Sequence, residues 1–263
     1  MTGTHEQSLQ AVVAKRAVIW HELECGAYRA DMALWRELAH DARAEMPPGA
    51  ALDIGAGSGR VSLDLARGGA KVTALDIDPV LLGALERRAG STGIQTVCAD
   101  ARDFELERAD YALCLAPMQT IQLLGGPDGR IAFLRRARAH LRPGGLLACA
   151  IVTELEPFDC TAGGPGPSPE SVRIDGVLYM SRAVRVALTR GLVRIERERS
   201  VLPAEQREPP GAPSRERNVI ELDHLSAARL HREGSAAGLQ PAGTRTIAAT
   251  EEHVGSLVVM FRA

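Results

Sequence analysis

The chain is organised around one stretch, Ala51-Leu52-Asp53-Ile54-Gly55-Ala56-Gly57-Ser58-Gly59-Arg60, in which a short apolar run gives way to alternating glycines. Apolar residues resume at helical spacing after Arg60, so the pattern predicts a strand, a tight turn and a helix. Glycine adopts positive φ readily and lets a ligand lie directly against the main chain, where a Cβ would block it. We therefore interpret the turn as a ligand-binding element.

The acidic residue before the glycines indicates which ligand the turn binds. Free N–H groups at the start of a helix favour an anionic group such as the pyrophosphate of a dinucleotide. Asp53 opposes that choice, because a carboxylate at the mouth of the strand repels phosphate and attracts an ammonium group. The cofactor that joins an amino-acid end to a nucleoside is S-adenosylmethionine. The spacing Asp-x-Gly-x-Gly-x-Gly also differs from the G-x-G-x-x-G of dinucleotide folds. A glycine-rich turn that binds no ligand remains an alternative interpretation at this point.

Composition limits the class of protein and of partner. The chain has 263 residues, 45% of them hydrophobic, which suffices for one large domain or a domain with an elaboration. Its 31 basic and 33 acidic residues give a formal charge of −2, which argues against a nucleic acid or an anionic membrane as partner. The sequence shows no apolar signal segment and no run of membrane-spanning length, so we expect a cytoplasmic protein.

Cysteine and histidine spacing predicts neither a disulfide framework nor a metal site. The five cysteines include no C-x-x-C pair. Cys98, Cys114 and Cys149 fall in predicted strands, where we expect them to be small core residues. We therefore expect no bound metal.

The N-terminal region, residues 1–48, is predicted to be helical and to stop at Pro47-Pro48. The segment from Trp20 to Tyr28 is too polar and too aromatic for a plain packing helix. One interpretation is a lid over the bound cofactor. The other is a pair of helices that merely pack on the sheet.

The region from 49 to 152 alternates apolar strand runs with helical stretches. We predict strands at 51–54, 71–75, 95–98, 110–116 and 145–152, with helices near 59–67, 78–89 and 129–141. Such alternation implies a parallel sheet covered on both faces, with ligands beyond the carboxyl ends of its strands.

The remaining chain reads as a β-rich insertion followed by closing elements. Within residues 153–222, strands are predicted at 177–180, 182–188, 192–201 and 218–222, and the proline-rich stretch 203–217 is expected to be a mobile hairpin tip. Residues 223–263 contain a predicted helix at 226–237 and two strands at 243–249 and 255–262.

Four motifs in this order resemble those of class I S-adenosylmethionine-dependent methyltransferases of the small-molecule type. They are the glycine stretch 51–60, Leu75-Asp76-Ile77-Asp78, Ala99-Asp100-Ala101 and Leu141-Arg142-Pro143-Gly144-Gly145. The resemblance implies a Rossmann-like, doubly wound α/β fold whose seven-stranded sheet has its last strand antiparallel. It also implies that the insertion at 153–222 is the substrate cap.

The resemblance further assigns the cofactor site. It implies that Asp53 and the glycine turn hold the methionine end, that Asp76 binds the ribose hydroxyls and that Asp100 bonds the adenine amino group. The full predicted cofactor site is Asp53, Gly55, Ala56, Gly57, Gly59, Asp76, Ile77, Asp100, Ala101, Leu115, Ala116, Pro117 and Gln122. Gln122 stands where many relatives have a histidine, so the acid–base role of that histidine has no equivalent here.

We predict transfer of a methyl group from S-adenosylmethionine to an oxygen or nitrogen of a small molecule, yielding S-adenosylhomocysteine. An in-line displacement at an activated methyl needs mainly alignment and exclusion of water. If a general base acts, the candidates are His21, Glu24, Tyr28 and His224.

The residues after the fourth predicted strand, 115–119, lack the Asn/Asp-Pro-Pro-Tyr/Phe of nucleic-acid N-methyltransferases, which argues against a flipped base as acceptor. A catalytically silent S-adenosylmethionine-binding scaffold and an NAD(P)-dependent oxidoreductase remain as alternatives. Both a monomer and a homodimer are compatible with the sequence.

Overall fold

The computed structural model describes residues 2–44, 49–203, 214–251 and 253–263, with side chains from residue 10 onward. The chain forms two compact units. The first comprises Met1–Val18, Tyr28–Glu154 and Leu225–Ala263, and the second comprises Ile19–Ala27 and Leu155–His224. The N-terminal region expected to be one domain is therefore divided between the units.

The helices and strands are numbered in chain order. The helices are α1 (Thr2–His21), α2 (Met32–Ala44), α3 (Arg60–Arg67), α4 (Pro79–Ala89), α5 (Gly126–His140) and α6 (Ala227–Ala236), with a π-helix at Glu22–Gly26 and a 3-10 helix at Thr120–Leu123. The strands are β1 (Ala51–Ile54), β2 (Val72–Asp76), β3 (Gln95–Cys98), β4 (Tyr111–Ala116), β5 (Leu141–Ile151), β6 (Phe158–Asp159), β7 (Glu170–Ile174), β8 (Val177–Thr189), β9 (Leu192–Leu202), β10 (Ser214–Asp223), β11 (Gln240–Ile247) and β12 (Ser256–Arg262).

The first unit contains a seven-stranded sheet in the order β11-β12-β5-β4-β1-β2-β3. Strands β1 to β5 run parallel to one another, and β12 runs antiparallel to both β5 and β11. Every residue of β1 and β4 is buried, as expected for central strands of a sheet covered on both faces. The predicted Rossmann-like fold with an antiparallel last strand is confirmed.

Local sequence explains where the helices beside the site begin. Gly59 precedes α3 with φ of 94°, a left-handed conformation that glycine adopts without strain. Asp78 caps α4 by accepting hydrogen bonds from the backbone N–H groups of Val80 and Leu81, with Pro79 in the first turn. Both helices therefore start just beyond the carboxyl ends of β1 and β2.

The second unit contains a five-stranded antiparallel sheet in which β10, β9, β8 and β6 are neighbours in that order and β7 pairs with β8. The β8–β9 hairpin turns at Arg190 and Gly191, whose φ values of 49° and 83° are those of a turn that suits hairpin twist. Trp20 packs edge-on against Tyr179, with 5.4 Å between ring centroids. The segment Ile19–Ala27 is thus held by its own contacts within this unit.

The structure corrects several predicted boundaries. Strand β8 is continuous where two strands were expected, and β7 was not predicted, since its alternating half-exposed residues follow a glycine- and proline-rich loop. The expected mobile tip at 203–217 is wrong for Ser214–Arg217, which pair with β9. Residues 204–213 of that tip, and the proposed helix stop at Pro47-Pro48, lie outside the described residues.

The cysteines also differ in part from expectation. Cys114 and Cys149 are fully buried in the central strands, as predicted. Cys98 is exposed, which corrects its placement in the core. The reason is the position of β3 at the end of the sheet, where one side of the strand has no neighbour.

Candidate cofactor site

The glycine turn lies directly beyond β1 and is tied to the neighbouring strand β2. The φ values of Gly55, Gly57 and Gly59 are 71°, 54° and 94°. A Cβ at Gly55 would come within 2.6 Å of the Thr120 side chain, and one at Gly59 would come within 2.2 Å of Leu85 Cδ1. The positive φ favours glycine at all three positions, and packing excludes a side chain at Gly55 and Gly59.

Asp76, the last residue of β2, holds the turn and keeps acceptor capacity. Its Oδ2 accepts a hydrogen bond from the Gly57 N–H at 2.7 Å, and its Oδ1 accepts one from the Asp78 N–H at 2.9 Å. Each carboxylate oxygen can accept a second hydrogen bond. The next side chain, Ile77, is 66% exposed although it is apolar. A carboxylate and an exposed apolar group therefore stand together at this edge.

Asp53 is buried at the carboxyl end of β1 with only part of its hydrogen-bonding capacity used. Its Oδ2 accepts a hydrogen bond from the Ser62 hydroxyl at 2.6 Å, whereas Oδ1 has no hydrogen-bond partner among the residues that the structure describes. Burial raises the pKa of Asp53 to about 7, against the opposing effects of Ser62 and the charge of Arg60. An orphaned buried carboxylate oxygen is uncommon, and an ammonium group would satisfy it. This residue therefore fits the amino end of S-adenosylmethionine.

Asp100 follows β3, the third parallel strand of the series. Arg102 binds its carboxylate through Nε at 2.9 Å and through Nη2 at 2.5 Å, and the Arg102 backbone N–H donates to it at 2.8 Å. These hydrogen bonds hold the pKa of Asp100 below its usual range. Ala101 is half-buried beside it.

The segment after β4 is buried and conformationally constrained. Leu115, Ala116 and Pro117 are buried, and Met118 has φ of 54°, which is unusual for a residue with a side chain. The Gln122 amide donates to the Val152 carbonyl at 3.1 Å and accepts from the Val152 N–H at 2.8 Å. Gln122 thus ties the 3-10 helix to the end of β5.

Three of the four base candidates lie in the second unit. Glu24 accepts hydrogen bonds from the Ser181 hydroxyl at 2.6 Å and from Arg199 at 2.7 and 2.8 Å. Burial pushes the pKa of Glu24 upward, but the hydrogen bonds of Arg199 and Ser181 outweigh it, and the pKa is lowered. His21 is half-buried in the same segment, and the His224 backbone N–H donates to the Gly191 carbonyl at 2.8 Å. The Glu24 carboxylate is therefore an ion-pair anchor and a weak proton acceptor.

Tyr28, the fourth candidate, belongs to the first unit. Burial raises the pKa of its hydroxyl, an effect that the nearby Ser256 partly offsets. The hydroxyl makes no hydrogen bond of ordinary geometry within the described part of the chain. Its ring lies 4.9 Å from the His253 ring between centroids. A phenol in this setting is neutral at pH 7, so Tyr28 offers its ring for packing and does not act as a base.

A buried ion pair that was not among the predicted site residues lies beside the turn. Arg60 binds Asp31 through two hydrogen bonds of 2.6 and 2.7 Å, and the Trp35 indole N–H donates to Asp31 at 2.7 Å. The available signal was the Asp31 to Trp35 spacing of four residues, which places both on one helix face. A lone charge in a sequence is more often solvated than buried, so this signal carries little weight without the structure.

Comparison with known families agrees with this geometry. Residues 51–145 match a family described as a methyltransferase domain. They include the glycine turn and the acidic residues at the carboxyl ends of the first three strands. The resemblance to class I S-adenosylmethionine-dependent methyltransferases is thereby confirmed, and this segment is a methyltransferase domain.

Individual relatives are similar to part of the chain. A cypemycin N-terminal methyltransferase from Streptomyces sp. is 32% identical over 119 residues, which are 44% of this chain and 46% of the relative. The chain spans about half the length of the curated relatives that it matches, 46% and 57% in two cases.

Solved structures extend the likeness in fold to most of the chain. An S-adenosylmethionine-dependent methyltransferase from Clostridium acetobutylicum aligns with a TM-score of 0.67 at 15% identity, covering 94% of this chain and 97% of the other. CalS10, an S-adenosylmethionine-bound amino pentose methyltransferase from Micromonospora echinaspora, aligns with a TM-score of 0.66 at 20% identity, covering 93% and 97%. At these identities the likeness shows the fold.

No helix among the described residues is long and apolar enough to span a membrane. No group of three or more His, Cys, Asp or Glu residues in the described ranges could hold a metal ion.

Proposed function

We propose that this protein is an S-adenosylmethionine-dependent methyltransferase that acts on a small molecule. The observation that carries the proposal is the orphaned, buried Oδ1 of Asp53 beside the glycine turn. An ammonium group gives this oxygen its missing hydrogen bond and offsets the cost of burying its charge. A phosphate-bearing nicotinamide cofactor would meet a carboxylate instead.

The neighbouring residues supply the other contacts in this proposal. The glycine turn allows close approach of the methionine end, and the free acceptor positions of Asp76 suit two vicinal hydroxyls. Ile77 offers an apolar surface for the adenine, and Asp100 accepts from its amino group. Ala56, Ala101, Leu115, Ala116, Pro117 and Gln122 complete the proposed cofactor site. S-adenosylmethionine, when bound, supplies a methyl group already activated by its sulfonium.

We infer that the acceptor atom is an amine nitrogen. Glu24 is held ionised by Arg199, and burial keeps the Tyr28 phenol neutral, so neither residue is suited to deprotonate an acceptor at neutral pH. A neutral amine has its own lone pair and needs alignment rather than a base. A relative named as a cypemycin N-terminal methyltransferase and a structural neighbour named as a sugar N-methyltransferase support this choice.

Transfer of a deuterated methyl group from labelled S-adenosylmethionine tests the proposal. Free-amine acceptors such as amino sugars and peptides are compared with hydroxyl and phenol acceptors, and products are read by mass spectrometry. We expect labelled N-methyl product from at least one amine acceptor, with release of S-adenosylhomocysteine. Label on hydroxyl acceptors alone contradicts the amine assignment. Tight S-adenosylhomocysteine binding without turnover on any acceptor favours the silent scaffold.

The raised pKa of Asp53 predicts that cofactor binding depends on pH. Below pH 7 the carboxyl is protonated in the free protein and must lose its proton to pair with an ammonium. The affinity for S-adenosylhomocysteine should therefore fall by up to about tenfold per pH unit below 7 and level off above it. The free energy of unfolding of the unliganded protein should fall as pH rises from about 4 to 7, because in this range the carboxyl is ionised in the unfolded chain while the folded protein keeps it protonated.

Calorimetry in buffers of different ionisation enthalpy measures the proton released on binding. Asp53→Asn should abolish this release and flatten the pH profile, whereas Glu37→Gln, at an exposed ion pair, should preserve both. Unchanged proton release in Asp53→Asn would contradict the assignment.

A further inference from the structure

Arg60 is an unusually placed cation. It opens α3 directly after Gly59, although a positive charge at a helix N-terminus opposes the helix dipole. Its side chain is only 7% exposed and that of Asp31 only 1%. Nη1 and Nη2 donate to the two carboxylate oxygens of Asp31 at 2.6 and 2.7 Å. This two-pronged, buried pair fixes the direction of the guanidinium.

The pair fastens the segment Tyr28–Trp35 to the first turn of α3. Arg60 Nη1 also donates to the Tyr28 carbonyl at 3.0 Å, and its Cζ lies 5.3 Å from the centre of the Tyr28 ring. Trp35, which is fully buried, donates its indole N–H to Asp31 at 2.7 Å. Breaking the pair would leave a buried charge without its partner and loosen the turn that carries it.

The same turn of α3 also carries a side chain that is hydrogen-bonded to Asp53. Ser62, two residues after Arg60, donates its hydroxyl to Asp53 Oδ2 at 2.6 Å. The titratable and charged groups that act on Asp53 are Arg60 on α3, Asp76 on β2 and Cys114 on β4. Arg60 alone among them favours the ionised carboxylate, while Asp76 disfavours it. Arg60 therefore acts on Asp53 both through the backbone and through its charge.

We propose that Arg60 is a positioning residue of the cofactor site, which uses its bond to Asp31 to hold the first turn of α3 and uses its charge to favour the ionised form of Asp53 that pairs with the cofactor. The proposal rests on the proposed function, because it assigns a role at that same site. It predicts two separable defects, one in the strength of cofactor binding and one in the pH at which binding is lost.

Titration of the full-length protein with S-adenosylhomocysteine from pH 5.5 to 8.5 tests both. Arg60→Met should weaken binding at pH 8 by about tenfold or more, since small misplacements are costly at such sites. It should also move the pH midpoint of binding upward, because Asp53 loses its favourable charge. Arg60→Lys keeps the positive charge but cannot make the two-pronged hydrogen bond to Asp31. This variant should therefore retain the wild-type pH midpoint while binding S-adenosylhomocysteine more weakly than the wild-type protein does.

The matched control is Arg36→Met. Arg36 pairs with Asp64 at 2.6 and 2.8 Å and also joins α2 to α3, but it lies on the surface away from the first turn. Its variant should bind like wild type. If Arg60→Met fails to fold, Arg60→Met combined with Asp31→Leu removes both buried charges and should show the same upward shift.

The result separates the two proposals. Affinity and midpoint in Arg60→Met equal to those of Arg36→Met overturn the role of Arg60 while leaving the proposed function intact. Absence of S-adenosylhomocysteine binding by the wild-type protein overturns the proposed function, and the role of Arg60 with it.

Discussion

Asp76→Ala is expected to lower the affinity for S-adenosylhomocysteine by about 1.5–3 kcal/mol, or about ten- to a hundredfold. Two ribose hydroxyls lose a charged acceptor in this variant. The turn also loses the bond from the Gly57 N–H, which is 2.7 Å long in the structure. Calorimetry at pH 8 measures the change, since Asp53 is ionised at that pH in the wild-type protein.

Asp78→Ala is the matched control for this prediction. Asp78 caps α4 two residues later and contacts the backbone of Val80 and Leu81. Its loss should cost about 0.5–2 kcal/mol of stability with a much smaller change in affinity. Equal losses of affinity in both variants would mean that Asp76 acts only through local structure, and wild-type affinity in Asp76→Ala would remove it from the site.

Glu233→Ala is expected to destabilise the protein by about 3–5 kcal/mol, the largest stability effect that we predict. Glu233 on α6 accepts two hydrogen bonds of 2.7 Å from Arg130 on α5. Arg130 is 1% exposed, so the variant removes the carboxylate that pairs with a buried guanidinium. Urea unfolding followed by circular dichroism measures the difference in the free energy of unfolding.

Replacing both partners provides the control for the buried pair. Arg130→Met combined with Glu233→Leu removes both charges and should recover much of the lost stability. Cofactor affinity should remain at the wild-type level in the double variant, since the pair joins α5 to α6 and none of the proposed cofactor residues lies on either helix. A loss below about 1 kcal/mol in Glu233→Ala would show that the pair is not desolvated as the structure indicates.

The core of the fold could be predicted because its signals are local. A glycine turn between an apolar run and a helical pattern marks the first strand and helix, and the strands predicted at 51–54 and 95–98 have the observed bounds. Parallel strands then bring the residues at the carboxyl ends of β1, β2 and β3 to one edge of the sheet. Asp53, Asp76 and Asp100 could therefore be placed without side-chain geometry.

The ion pairs could not be predicted because their partners are distant in sequence. Glu24 and Arg199 are 175 residues apart, and Arg60 and Asp31 are 29 apart. In the sequence each is an ordinary charged residue. Glu24 could be considered as a base only because its arginine partner was unknown. The exposure of Cys98 could not be predicted for the same reason, since it depends on where β3 lies in the sheet.

Calorimetric titration of the wild-type protein with S-adenosylhomocysteine, with NADH as the comparison ligand, tests whether the glycine turn and Asp53 form a site for S-adenosylmethionine. We predict saturable binding of S-adenosylhomocysteine at one site per chain at pH 8, weakening below pH 7, and no measurable binding of NADH. Saturable binding of NADH together with no binding of S-adenosylhomocysteine would contradict the account.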